Sequence, residues 1–142
     1  MYETIFSFSG LIVLPFWALM ILAPGWSGTW RVIRSPLIAL PPALLYAALV
    51  LPGIRESFPV LLNPTLEEIA RLLGQPEGAT IAWIHFLVFD LFVGRWAYLD
   101  ARERGMPVLV SSPVLFLVLM FGPLGFLVHL LARNRWPLPE EL

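Results

Sequence analysis

The stretch ATIAWIHFLVFDLFVGRWAY, Ala79 to Tyr98, holds only three ionisable side chains in its interior, His85, Asp90 and Arg95, and is otherwise apolar. An α-helix rises ~1.5 Å per residue and the hydrocarbon core of a bilayer is ~30 Å thick, so about 20 apolar residues make one crossing. This window, about 79–98, therefore reads as a membrane-spanning helix. Working outward, three further windows have similar character. The first, about 5–22, ends at Ala23-Pro24-Gly25, where proline disfavours helix for the residue before it and glycine permits a turn. The second, about 35–51, opens on Pro36 and ends before Pro52-Gly53. A proline in the first turn removes an N–H that has no helical partner anyway, whereas Pro41 and Pro42 fall deeper and are expected to bend the helix. The last, about 112–132, is followed by Arg133 and Arg135, placed to reach headgroups. The expected fold is an all-α integral membrane four-helix bundle, with residues 1–142 as a single membrane domain.

Composition agrees with this reading. Of 142 residues 58% are hydrophobic and 13% charged, and the mean hydropathy is +0.80, far from the profile of a water-soluble domain. All nine basic residues are arginine and ten acids nearly balance them. No basic run is present that could track a phosphate backbone, so nucleic acid is not an expected partner. The lack of cysteine removes disulfides, thiolate metal sites and a thiol nucleophile. Glu3 precedes the first window with no basic region or A-x-A pattern beside it, so that window is expected to be a retained helix and not a cleaved signal.

Between the second and third windows the composition turns polar, with Arg55, Glu56, Glu67, Glu68, Arg71 and Glu77. Thr65-Leu66-Glu67-Glu68 matches a capping box, in which the Thr hydroxyl and the Glu carboxylate each satisfy an orphan backbone N–H. A short helix over 66–73 follows, stopped by Gly74, with an apolar side suited to lie on the membrane interface or to close over the helix bundle. Trp26, Trp30, Trp83, Trp96, Trp136 and Tyr98 lie near predicted helix ends, as aromatic belts do. With four crossings Arg31, Arg34, Arg102 and Arg104 flank one side and Arg55, Arg71, Arg133 and Arg135 the other, which leaves orientation undecided. Both termini then fall on the same side.

An ionisable group inside a span costs ~2.5–3.5 kcal/mol on insertion scales and is a functional candidate for that reason. At ~100° per residue, His85 and Asp90 lie roughly 140° apart on their helix, as do Asp90 and Arg95. The face of Asp90 also carries Ala79, Trp83, Phe86, Gly94, Ala97 and Ala101, whose small members admit a neighbouring backbone. Asp90 is expected to point into the bundle, as an acid or as a hydrogen-bond partner between helices. His85 shares its face with Ile81, Phe89, Phe92 and Trp96, a bulky surface for lipid or an elongated apolar ligand. In the fourth window Phe121-Gly122-Pro123-Leu124-Gly125 predicts a kink at mid-membrane, with His129 farther along. Two histidines without ligand spacing argue against a metal site. No phosphate loop, nucleophile elbow or haem attachment motif is present, and no cofactor is expected.

The run from Ala82 to Arg95, with Tyr98 and Asp100, resembles the family of the plant abscisic-acid-deficient-four protein. The similarity extends to Leu14-Pro15-Phe16 with Ala23-Pro24 and to Phe121–Gly125 with His129, and so spans the chain. The family's plant members are plastid membrane proteins of neoxanthin synthesis, and the resemblance implies redox-neutral isomerisation of a carotenoid: an epoxide opens and an allene forms. Such a step needs an acid at the epoxide oxygen and a base at an adjacent C–H. On that reading Asp90 is the acid, His85 the base or relay, and Arg95 orients a substrate oxygen, while Trp83, Phe89, Trp96, Gly122 and His129 contact the substrate. The all-arginine basic set and the absence of a Ser-rich transit segment point to a bacterial inner or photosynthetic membrane, with another carotenoid or isoprenoid as substrate. The alternative is a non-catalytic pigment- or lipid-binding accessory subunit, as a homo-oligomer or within a larger membrane complex. A transporter is disfavoured, since no internal repeat or pore-lining row is visible.

Overall fold

A computed structural model describes residues 1–138, all of whose regular elements are helical. In chain order they are α1 (Tyr2–Leu22), α2 (Ser27–Ile33), a 3-10 turn (Pro36–Ala39), α3 (Leu40–Leu62), α4 (Leu66–Leu73), α5 (Pro76–Glu103), α6 (Val108–Phe121), α7 (Pro123–Ala132) and a closing 3-10 turn (Arg133–Arg135). Three helical stretches are long and apolar enough to cross a membrane: Tyr2–Leu22, Pro36–Leu62 and Pro76–Glu103.

α5 is the axis of the molecule. α1 runs parallel to it, since Phe6 stacks near Trp83 at 5.3 Å between ring centroids, Trp17 covers Gly94, and the Pro24 carbonyl receives the Tyr98 hydroxyl at 2.9 Å. α3 runs the other way, with Tyr46 beside His85. Its start differs from expectation. Pro36 opens a 3-10 turn, and Pro41 and Pro42 then lie in the first turn of a new α-helix. There their missing N–H groups cost nothing, so the two prolines lie where the 3-10 turn passes into the α-helix.

The fourth apolar window is not one continuous helix, so three helices of crossing length stand where a bundle of four is expected. α6 and α7 have 14 and 10 residues, about 21 and 15 Å, each short of a ~30 Å core. The chain reverses at Gly122, whose φ of 36° and ψ of −95° lie where L side chains are strained. Pro123 then opens α7 with the φ of a helix and no N–H to leave unpaired. Gly125 rests on the α6 backbone at Leu117 and Val118, so the two helices form a close antiparallel hairpin. Both its ends lie at the C-terminal end of α5: Ser112 donates to the Ile21 carbonyl at 2.8 Å, and the Trp136 carbonyl receives Arg104 at 3.1 Å. Four crossings put both termini on one side, whereas the described chain begins beside the start of α5 and finishes beside its end.

α4 occupies Leu66–Leu73 as expected. Thr65 Oγ1 accepts the Glu68 N–H at 3.3 Å and donates to the Glu68 carboxylate at 2.7 Å, a variant of the reciprocal box. The core lies in the half of the bundle nearest the end of α5, where Val13, Trp17 and Met20 of α1 meet Leu91, Ala97 and Tyr98 of α5 and Leu115 and Val118 of α6. Residues such as Phe8, Leu44, Phe116 and Leu131 face outward. Lipid tails are as apolar as leucine, so the helices are held by close packing and hydrogen bonds and not by burial from water.

Side chains supply those bonds at the end of α1. Thr29 donates to the Ala23 carbonyl at 2.7 Å, Ser112 serves Ile21, and Arg102 joins Tyr98 on Pro24 at 3.0 Å. Carbonyls that a helix terminus leaves open are thus met by α2, α5 and α6.

Candidate functional site

Asp90 sits midway along α5 and Gly122 at the tip of the hairpin, and the two touch. A Cβ built on Gly122 would stand 2.5 Å from Asp90 Oδ1. One turn further along the same face of α5, Gly94 is closed over by the Trp17 indole, and Ala97 and Ala101 are buried beyond it. Of the face predicted for Asp90, Gly94, Ala97 and Ala101 are therefore packed, whereas Ala79, Trp83 and Phe86 are exposed. Since Pro123 has no N–H and the first helical bond of α7 runs from Phe126 to the Gly122 carbonyl, Leu124 and Gly125 carry first-turn N–H groups without a helical acceptor. The positive end of α7 thus lies on the side of Asp90. A half-buried carboxyl midway along an apolar helix is a group that can give a proton to a ligand and take one back.

A second polar group lies nearer the ends of α5 and α7. Asp100 Oδ1 receives Arg104 Nε at 3.0 Å and Arg133 Nη2 at 2.8 Å, and Oδ2 pairs with His129 Nε2 at 2.9 Å. His129 is 1% exposed. The Trp96 ring stands edge-on to it at 5.3 Å and carries the Arg133 guanidinium over its face at 5.3 Å. Among the described residues no buried side-chain N or O lacks a partner. A network so completely satisfied holds α7 and the closing turn against α5. The sequence alone gives Asp100 no role. The one local signal for it was Arg104, four residues on.

The other predicted residues are dispersed. His85 is exposed on the opposite side of α5, its ring 4.7 Å from Phe89 and 5.6 Å from Tyr46. Arg95 is committed to backbone: Nε donates to the Ile33 carbonyl at 2.9 Å and Nη2 to that of Arg34. It caps α2, and no substrate oxygen is needed to explain it. Trp83 faces Phe6 at the other end. Asp90 and Gly122 therefore come together, as do Trp96 and His129, and His85 and Phe89. Asp90, His85 and Arg95 do not converge. Among the described residues no three His, Asp or Glu side chains are grouped to hold a metal ion.

Comparison with known proteins adds a relationship to this geometry. A family model described as ABA DEFICIENT 4-like matches residues 4–129. The Protein ABA DEFICIENT 4, chloroplastic, of Arabidopsis thaliana is 29% identical over 137 residues, covering 92% of this chain and 61% of the relative. The chain thus spans somewhat under two thirds of that protein's length. No solved structure matches. The matched region contains Asp90, Gly122 and His129, and stops short of Arg133.

Proposed function

The chain belongs to the ABA DEFICIENT 4-like family, and from that membership we propose that it acts within the bilayer on a carotenoid or related isoprenoid, by acid–base isomerisation without net redox change. The observation that carries the proposal is the contact of Asp90 with Gly122 midway along α5, a lone carboxyl in an apolar helix, where such a group is costly unless used. Asp90 donates its proton to an epoxide oxygen, the ring C–O bond breaks and leaves that oxygen on the substrate as a hydroxyl, and the carboxylate left behind accepts the proton released from a neighbouring carbon. Atoms and electrons balance within the substrate. His85, expected from the resemblance as base or relay, lies across α5 from Asp90. Its place is with Phe89 and Tyr46, as part of an aromatic surface along which an elongated apolar ligand lies. Trp83 serves the same contact, while Trp96 and His129 steady the hairpin that presents Gly122.

The second reading, a non-catalytic pigment- or lipid-binding subunit, is favoured by the exposed Trp83, Phe86, Phe89 and Phe92 along α5. Expression of the wild type and of Asp90→Asn in a carotenoid-producing host, followed by pigment chromatography, separates the two. Conversion lost in Asp90→Asn supports chemistry at Asp90. An unchanged pigment profile with the wild type, together with a coloured purified protein, supports binding alone.

A further inference from the structure

The hairpin changes the charge balance across the membrane. Because α7 returns to the end of α5 from which α6 departs, Arg133 and Arg135 join Arg31, Arg34, Arg102 and Arg104 at that end, and only Arg55 and Arg71 remain at the other. The acids run the opposite way: Glu3, Glu56, Glu67, Glu68 and Glu77 lie at the end holding Arg55 and Arg71, against Asp100 and Glu103 among the described residues at the arginine-rich end. An even split of four and four under four crossings becomes six against two. Arginine near the ends of spans is retained on the side where the chain is made, and anionic headgroups of that leaflet attract it.

We propose that the arginine-rich end of the bundle is the surface that meets the anionic cytoplasmic leaflet, with the described chain crossing three times and its first residue on the far side. Arg31, Arg34, Arg102 and Arg135 are exposed there. Arg104 and Arg133 reach the same level but spend their charge on Asp100. Trp30, beneath the Arg34 guanidinium at 4.7 Å, lies at headgroup depth, where indole rings are favoured.

The absence of cysteine makes the test direct. Asn63→Cys, Glu103→Cys and Asn134→Cys, each at an exposed position, are expressed singly in the full chain in a bacterial host and treated with a membrane-impermeant maleimide. The expected result is labelling of Asn63→Cys in intact cells, and of Glu103→Cys and Asn134→Cys only after the membrane is opened. Labelling of Asn134→Cys from the side opposite to Glu103→Cys would restore four crossings and overturn the proposal, as would an exchange of sides between Asn63→Cys and the other two. In a second measurement, Arg31→Gln, Arg34→Gln and Arg135→Gln are combined with Asn63→Cys, leaving three arginines against two. Asn63→Cys is then expected to label in part from each side, and an unchanged single orientation would show that the arginines do not set it.

Discussion

The Asp90 carboxylate rests against Gly122 where α6 ends and α7 begins. The contact leaves no room for a side chain at position 122, and the backbone there has a positive φ as well. Gly122→Ala is therefore expected to be destabilising twice over, with about 1–3 kcal/mol from the backbone alone. Asp90→Ala would remove the steric part but not the backbone part. A double-mutant cycle read from thermal unfolding in detergent should show the pair to be non-additive, and simple additivity would mean that the two residues do not touch.

Asp100 accepts from three donors of three different residues. Asp100→Ala leaves two guanidiniums and an imidazole without their acceptor, and loss of one member of a buried ion network costs ~3–5 kcal/mol. Arg104→Ala removes one of several donors and should cost clearly less. The order of the two unfolding midpoints checks this, and equal losses would contradict the central place of Asp100.

Gly94 has the Trp17 ring over it. Gly94→Ala should cost about 1–3 kcal/mol through overpacking, with part of that loss recovered in Trp17→Phe, where the ring is smaller. No recovery in the double variant would separate Gly94 from Trp17.

Arg95→Lys keeps the charge but not the fork that reaches both the Ile33 and Arg34 carbonyls. A stability loss of about 1.5 kcal/mol, the scale of a charge-assisted hydrogen bond, is expected, with pigment conversion per folded molecule unchanged. A specific loss of conversion with stability intact would return Arg95 to the substrate.

What could be read from the sequence depended on whether the deciding interaction was local. α4 was legible because Thr65, Glu68 and Gly74 mark its ends within nine residues of each other, and α5 because its length and apolarity leave no soluble alternative. The angular spacing on α5 likewise anticipated that His85 and Asp90 would not meet. Gly122-Pro123 was legible as a break but not as a reversal. A glycine and proline that kink a helix can equally turn it back, and the choice rests on His129 and Arg133 reaching Asp100, about 30 residues earlier in the chain. Arg95 looked available because its acceptors are backbone carbonyls about 60 residues away, which carry no residue signature. α2 is a single short helix of seven residues whose interior has no apolar period to find.

Because the α6–α7 hairpin stops beside Asp90, midway along α5, it leaves the first half of that helix without a wall on this face. Below Asp90 the same face of α5 continues through Phe86, Trp83 and Ala79, all exposed, over the ~21 Å from residue 90 to the start of the helix at Pro76. On the membrane reading proposed above, lipid tails fill that bay, and its ceiling is the Asp90–Gly122 contact. Any hydrophobic molecule that reaches the carboxyl by this route arrives sideways from one leaflet, end first, with its tail lying along Phe86 and Trp83. The reach of that tail, and not an enclosed cavity, would then set which molecules are accepted.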